Sequence, residues 1–193
     1  MIAHIRKATQ GVVSLENTHP FQREMWGHYW VFAHNGNLEN FQPEFDGSFI
    51  PVGNTDSERI FCWIMQSLRK RFGSSYPDEN SLFDYIHSLA LELASQGEVN
   101  FLFSNGNFLI CHCSTKLSYI VRKAPFTQAR LKDQDLTVDF KDVTTANDKV
   151  AVIATIPLTD NEAWETLQPG TLALFRDGDL QEKRTTKEWI KTK

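Results

Sequence analysis

A chain of 193 residues with 41% hydrophobic and 23% charged residues has the make-up of a folded globular protein, which excludes the disordered and fibrous classes, and its length fits a single domain over residues 1–193. A net charge of −4, an isoelectric point near 5.9, and basic residues scattered except at Arg69, Lys70 and Arg71 give no footprint for a phosphate backbone, so no nucleic-acid partner is expected. Three cysteines make no disulfide framework or paired CxxC, the opening MIAHIRKATQG has no apolar run of signal-peptide length, and no stretch approaches about 20 apolar residues; the expectation is a cytoplasmic chain without membrane attachment.

Residues 2–9 are short and compatible with a strand, followed by a polar loop at 10–17 and the His19-Pro20-Phe21 step. The aromatic, β-branched run YWVFAH at 29–34 predicts a strand ending at Asn35-Gly36. Over 56–72, Ile60, Phe61, Ile64, Met65 and Leu68 fall on one helical stripe, and Thr55-Asp56-Ser57-Glu58 has the form of a capping box. A second helix over 80–96 carries Leu82, Phe83, Ile86, Leu89 and Leu93 and stops at Gly97. An Asn105-Gly106 hairpin joins strands at 99–104 and 108–113, and further strands are expected at 119–122, 150–156 and 171–175, the last turned by Asp177-Gly178. Strands around a helical pair favour α+β over a doubly wound sheet, and the charged tail from Gln181 reads as frayed.

Asn-Gly-Asn occurs at 35–37 and at 105–107. The second copy lies between alternating strands and reads as a turn. The first is followed by LENFQPEFDG, which does not alternate as a returning strand, so a turn and a functional loop both stay open there. In a functional loop, a glycine lets backbone N–H groups approach a ligand, and an asparagine amide adds a donor for a developing oxyanion.

Arg6 is open to a surface ion pair or to bidentate binding of a carboxylate. Asp56 can simply favour a helix N-terminus. His19 and His34 can orient loops, act as bases or sit satisfied in the core. Cys111 and Cys113 alternate with His112 along a strand and read as buried structural residues, and Cys62 has no basic neighbour in sequence to make a thiolate. No metal site is expected.

Taken together, HIRKAT, NTHPF, FAHNG and NTDSE, in that order and spacing, resemble the glutamine-binding face of the class II glutamine amidotransferases, whose nucleophile is N-terminal. The similarity continues through CHCSTKLSYIVRKAPF, VIATIPLT and residues 164–170, as in a stand-alone bacterial amidotransferase-like protein. The resemblance implies an Ntn-hydrolase-like αββα four-layer sandwich. It implies that Arg6 clamps the substrate α-carboxylate, Asp56 takes its α-ammonium and Thr9 borders the same pocket. Asn35 and Gly36 would then form the oxyanion hole, with His19 and His34 in support. The implied reaction is hydrolysis of L-glutamine to glutamate and ammonia, with no cofactor and with ammonia passed to an acceptor. A γ-glutamyl peptide or amide hydrolase and a non-catalytic glutamine-binding module are the alternatives.

One departure is large. The family begins with a cysteine that attacks the amide, whereas position 2 here is Ile and the chain opens on a strand that belongs inside the domain. The expectation is a domain truncated at its N-terminus and inactive in this form.

Overall fold

The computed structural model describes residues 1–4, 14–133, 136–142 and 144–185, arranged in two compact units, Met1–His112 and Cys113–Lys193. Of the strand expected at 2–9, the residues up to His4 are irregular and the rest lie outside the described residues.

The first unit opens with a 3-10 turn at Leu15–Asn17, then β1 (Phe21–Met25) and β2 (His28–Asn37) form an antiparallel hairpin closed by Met25 opposite His28. β1 is not expected from the sequence, because FQREM carries charges at its centre. Its ends nevertheless bury Phe21 and Met25 while Gln22 and Glu24 face outward. The turn residues Trp26 and Gly27 both have positive φ, 58° and 76°, the form that matches the twist of paired strands. Tryptophan is a poor residue for that backbone, and its ring is what holds it there. Nε1 donates to the Gly73 carbonyl at 2.9 Å, and the indole meets Trp30, Phe72 and Tyr76 edge-on.

β2 runs past the expected end at His34. Asn35, Gly36 and Asn37 pair with Asn100, Val99 and Glu98 of β3 (Glu98–Ser104), so the first Asn-Gly-Asn is strand rather than loop or turn. The second copy is a turn, although wider than a two-residue one. β3 and β4 (Leu109–Cys113) last pair at Ser104 and Leu109, and four residues close the loop. There Asn105 Oδ1 accepts the Asn107 N–H at 3.1 Å, and Ser104 Oγ accepts the Gly106 N–H at 3.1 Å.

Helix α1 (Asp56–Phe72) matches its expected span, with Thr55 Oγ1 accepting the Glu58 N–H at 3.2 Å and three basic residues in the last turn to complement the helix dipole. The capping box is only half made, because the Glu58 carboxylate turns to the preceding loop. Helix α2 (Glu79–Ala94) begins at an Asp78 cap and ends at Ser95, short of the expected Gly97. Both predicted stripes are buried. Five such side chains on α1, at roughly 2 kcal/mol each, give on the order of 10 kcal/mol gross, so burial rather than helix propensity dominates α1. They meet an aromatic core in which Phe32 of β2 stacks on Phe61 of α1 at 5.3 Å and Trp30 stacks on Phe103 at 4.6 Å.

In the second unit β5 (Ser118–Lys123) lies between β8 (Lys149–Ala154) and the short β9 (Glu165–Thr166). A small pair joins β6 (Gln128–Arg130) to β7 (Thr137–Asp139). β10 (Thr171–Arg176) and β11 (Asp179–Thr185) form the expected Asp177-Gly178 hairpin, so residues 181–185 of the supposed frayed tail are strand. β8 stops at Ala154, before the expected Ile156, which is exposed. Two helices between strand pairs, with every pairing of known register antiparallel, make the fold mixed α+β with antiparallel sheets.

Candidate functional site

The end of β2 and the start of α1 meet through side chains of the motifs singled out in the sequence. Asp56 Oδ2 accepts the N–H of Leu38 at 3.0 Å, two residues beyond Gly36. Its other oxygen accepts the Ser57 N–H at 2.8 Å. Asp56 is thus fixed at the first helical position, half-buried, with carboxylate capacity left over for a ligand.

His34 is buried beneath it. Nε2 lies 3.2 Å from the Glu98 carbonyl and Nδ1 2.9 Å from Ser57 Oγ. A carbonyl can only accept, so Nε2 carries the proton and the neutral ring's Nδ1 accepts from the Ser57 hydroxyl. Burial lowers the pKa of His34, and nearby His4 lowers it further, against the opposing pull of the Asp56 charge and the Glu98 carbonyl. The imidazole therefore stays neutral at pH 7 and acts as a wedge between strand and helix.

Gly36 is small because of this wedge. A Cβ there would collide with the Glu98 carbonyl oxygen and approach His34 Nε2 to 2.7 Å. Close approach, not backbone conformation, excludes a side chain. Asn35 and Gly36 are exposed, and Asn100 Nδ2 donates to the Asn35 carbonyl at 3.1 Å.

The loop before α1 is braced from below. Glu58, 2% exposed, takes Arg23 of β1 on one oxygen together with the Val52 N–H at 3.1 Å, and the Gly53 N–H on the other at 2.6 Å. Asn17 of NTHPF accepts the Asn54 N–H of NTDSE at 3.0 Å. His19 of NTHPF is buried and stacks on His4 of HIRKAT, with ring centroids 4.2 Å apart. Residues from all four motifs thus contact one another in pairs, and His34, Asn35, Gly36 and Asp56 lie together. Arg6 and Thr9 lie outside the described residues. Ser57, Glu58, Arg23 and Asn17 were missed as contributors, although three of them stand inside the motifs.

The cysteines do not supply a nucleophile in this unit or the next. Cys62, Cys111 and Cys113 are buried and form no disulfide. The fold brings Arg23 within 4.0 Å of Cys62, a basic neighbour invisible in the local sequence, yet burial outweighs it and pushes the thiol up to about 11. Burial likewise raises Cys113 to about 11. His112 donates from Nδ1 to the Val99 carbonyl at 2.8 Å. Among the described residues no three His, Cys, Asp or Glu side chains are grouped to hold a metal ion, and no helix is long and apolar enough to cross a membrane.

The chain belongs to the class II glutamine amidotransferases: the model of that family matches residues 1–193. It is 49% identical over 179 residues to the Escherichia coli K12 protein named "Putative glutamine amidotransferase YafJ", covering 93% of this chain and 70% of that one. The solved structure of a "predicted glutamine amidotransferase from Pseudomonas aeruginosa PA01" is similar with a TM-score of 0.78 at 49% identity, covering 87% of this chain and 66% of that one. Glutamine phosphoribosylpyrophosphate amidotransferase from B. subtilis shares the fold at a TM-score of 0.53 and 19% identity, covering 94% of this chain and 34% of its own. The fold is thus that of the Ntn-type amidotransferases. The chain spans just under two thirds of the solved Pseudomonas chain.

Proposed function

We propose that this chain carries the L-glutamine site of an amidotransferase that releases ammonia from the glutamine side chain. The supporting observation is the fixing of Asp56 beside the end of β2, where its carboxylate faces the segment that holds Asn35 and Gly36. In this reading Asp56 takes the substrate α-ammonium and Arg6 its α-carboxylate, with Thr9 alongside. The Asn35 amide and the Gly36 N–H stabilise the oxyanion of the tetrahedral intermediate, each such donor contributing about 3 kcal/mol. His34 and, through its stack on His4, His19 position these groups. Attack requires a thiol, and neither Cys62 nor Cys113 provides a thiolate. We therefore propose that residues 1–193 alone bind glutamine without turning it over. The same site used as a non-catalytic sensor is the second reading, favoured by the absence of a reactive cysteine among the described residues.

Calorimetry with L-glutamine on this chain, on Asp56→Asn and with D-glutamine tests the proposal. Millimolar or tighter binding of L-glutamine, lost in Asp56→Asn and with the D-enantiomer, supports it. Equal binding by wild type and Asp56→Asn removes it. A protein extended to include a family-type N-terminal cysteine separates the two readings: ammonia release from glutamine favours the enzyme, and tight binding without release favours the sensor.

A further inference from the structure

We propose that a notch beside β5 in the second unit binds a short, extended, acidic peptide segment by adding it to the open edge of that strand. One edge of β5 pairs with β8 along its whole length, from Ser118 opposite Ala154 to Lys123 opposite Lys149. The other edge pairs with β9 only at Ser118 and Tyr119. The Leu167 N–H on the Leu117 carbonyl, at 2.9 Å, sets the parity: Leu117, Tyr119, Val121 and Lys123 direct their main-chain groups to that second side. Beyond Tyr119, no strand among the described residues covers Val121 and Lys123.

A cavity of about 390 Å³ lies beside that edge, lined by residues 120–123 of β5, by residues 125–127 that follow it and by residues 161–163. Side chains of a strand alternate between its faces, so a cavity that touches four consecutive residues lies against the edge. Its volume is at the small end of ligand pockets and suits two or three residues of extended chain at about 3.3 Å each. Both walls are fixed. Arg122 binds Glu162 through two parallel bonds of 2.8 and 2.6 Å, and the Thr159 hydroxyl donates to Glu162 at 2.6 Å. Asn161 holds Arg130 N–H and the Gln128 carbonyl, each at 2.8 Å. The Arg122–Glu162 pair thus joins one wall to the other, and the β5 edge beside it offers main-chain partners, as β-augmentation requires.

Charge selects the occupant. Arg122 and Glu162 neutralise one another, and Asp160 is bound by Arg130. Lys123 stands exposed at the rim opposite Lys149, and one acid, Asp179, serves that pair of lysines. Glu165 of β9 adds a second acid, exposed beside this edge. The charged side chains that line the cavity itself, Arg122, Lys123 and Glu162, nevertheless leave one positive charge, at Lys123, which favours an acidic segment.

NMR titration of the isotope-labelled full chain with N-acetylated, C-amidated Val-Glu-Val tests this. The expected result is saturable movement of the Val121 and Lys123 amides with slowed solvent exchange at both. Binding should weaken about five-fold in Lys123→Glu, the scale of an exposed ion pair turned to repulsion, and disappear in Ala163→Trp, which fills the slot from an exposed position. No saturable change, equal binding by the fully N-methylated peptide, or unchanged affinity in Lys123→Glu would overturn the proposal.

Discussion

The hydroxyl of Ser57 lies 2.9 Å from Nδ1 of His34, joining the first turn of α1 to the strand that carries Asn35 and Gly36. With Asp56 Oδ2 on the Leu38 N–H, two bonds fix the helix start against the strand end. Removing the hydroxyl in Ser57→Ala leaves Nδ1 buried without its donor, which costs about 1–3 kcal/mol. Urea denaturation of the two proteins at pH 7.5 measures it, and equal midpoints would contradict the assigned bond.

Stability should fall as pH drops from neutrality. Burial lowers His112 to about 4 and also lowers His34, so the unfolded imidazoles, near 6.5, take up protons first. Because the unfolded state then binds more protons, the stability present above about pH 6.5 is progressively lost towards the folded pKa. His112 contributes on the order of 3 kcal/mol across that window, and His34 adds in the same direction. Urea midpoints at pH 7.5 and pH 5 report the slope; a flat profile would mean that these rings are charged or exposed in the fold.

Two glycines should respond differently to alanine. Gly36→Ala forces a methyl group into the Glu98 carbonyl and costs about 1–3 kcal/mol, with a change in the amide resonances of β3. Gly27→Ala meets nothing within 4 Å, and its cost of about 1–2 kcal/mol comes only from the positive φ. Chemical-shift mapping distinguishes them, since only the first should disturb Glu98 and Val99.

Glu58→Ala strips a buried carboxylate from Arg23 and from the amides of Val52 and Gly53. The loss should reach about 3–5 kcal/mol, well above that of an exposed ion pair such as Arg130 with Asp160. Thermal denaturation of Glu58→Ala beside Asp160→Ala checks the ordering.

With Cys62 and Cys113 raised to about 11 and all three thiols buried, iodoacetamide at pH 8 should leave the native protein unlabelled and modify all three cysteines in denaturant. Rapid labelling of Cys62 in the native state would show that Arg23 outweighs burial there.

The helices were legible because their stripes repeat at the helical period, so Ile60 to Leu68 and Leu82 to Leu93 announced both span and buried face. β1 was not, because its turn uses a tryptophan whose left-handed backbone is held by distant Gly73 and Tyr76. The end of β2 was hidden for a related reason: Asn-Gly-Asn favours turns locally, and only pairing with β3 makes it strand. Of the candidate site, Asp56 and His34 are singled out by the family resemblance, because by residue type alone one reads equally as a helix-end acid and the other as a core histidine. Glu58 looks like a local cap in the sequence, since its partner Arg23 is 35 residues away and the competing amides belong to an irregular loop. Arg6 and Thr9 rest on motif alone.

The most direct measurement is an NMR titration of the isotope-labelled chain with L-glutamine. If Asp56, Gly36 and the wedge formed by His34 and Ser57 surround one amino-acid-sized site, the amides of Gly36, Leu38 and Ser57 will move together with a single dissociation constant, and Asp56→Asn will abolish the movement. Saturation at residues remote from these three, or no response at concentrations well above millimolar, would contradict the account.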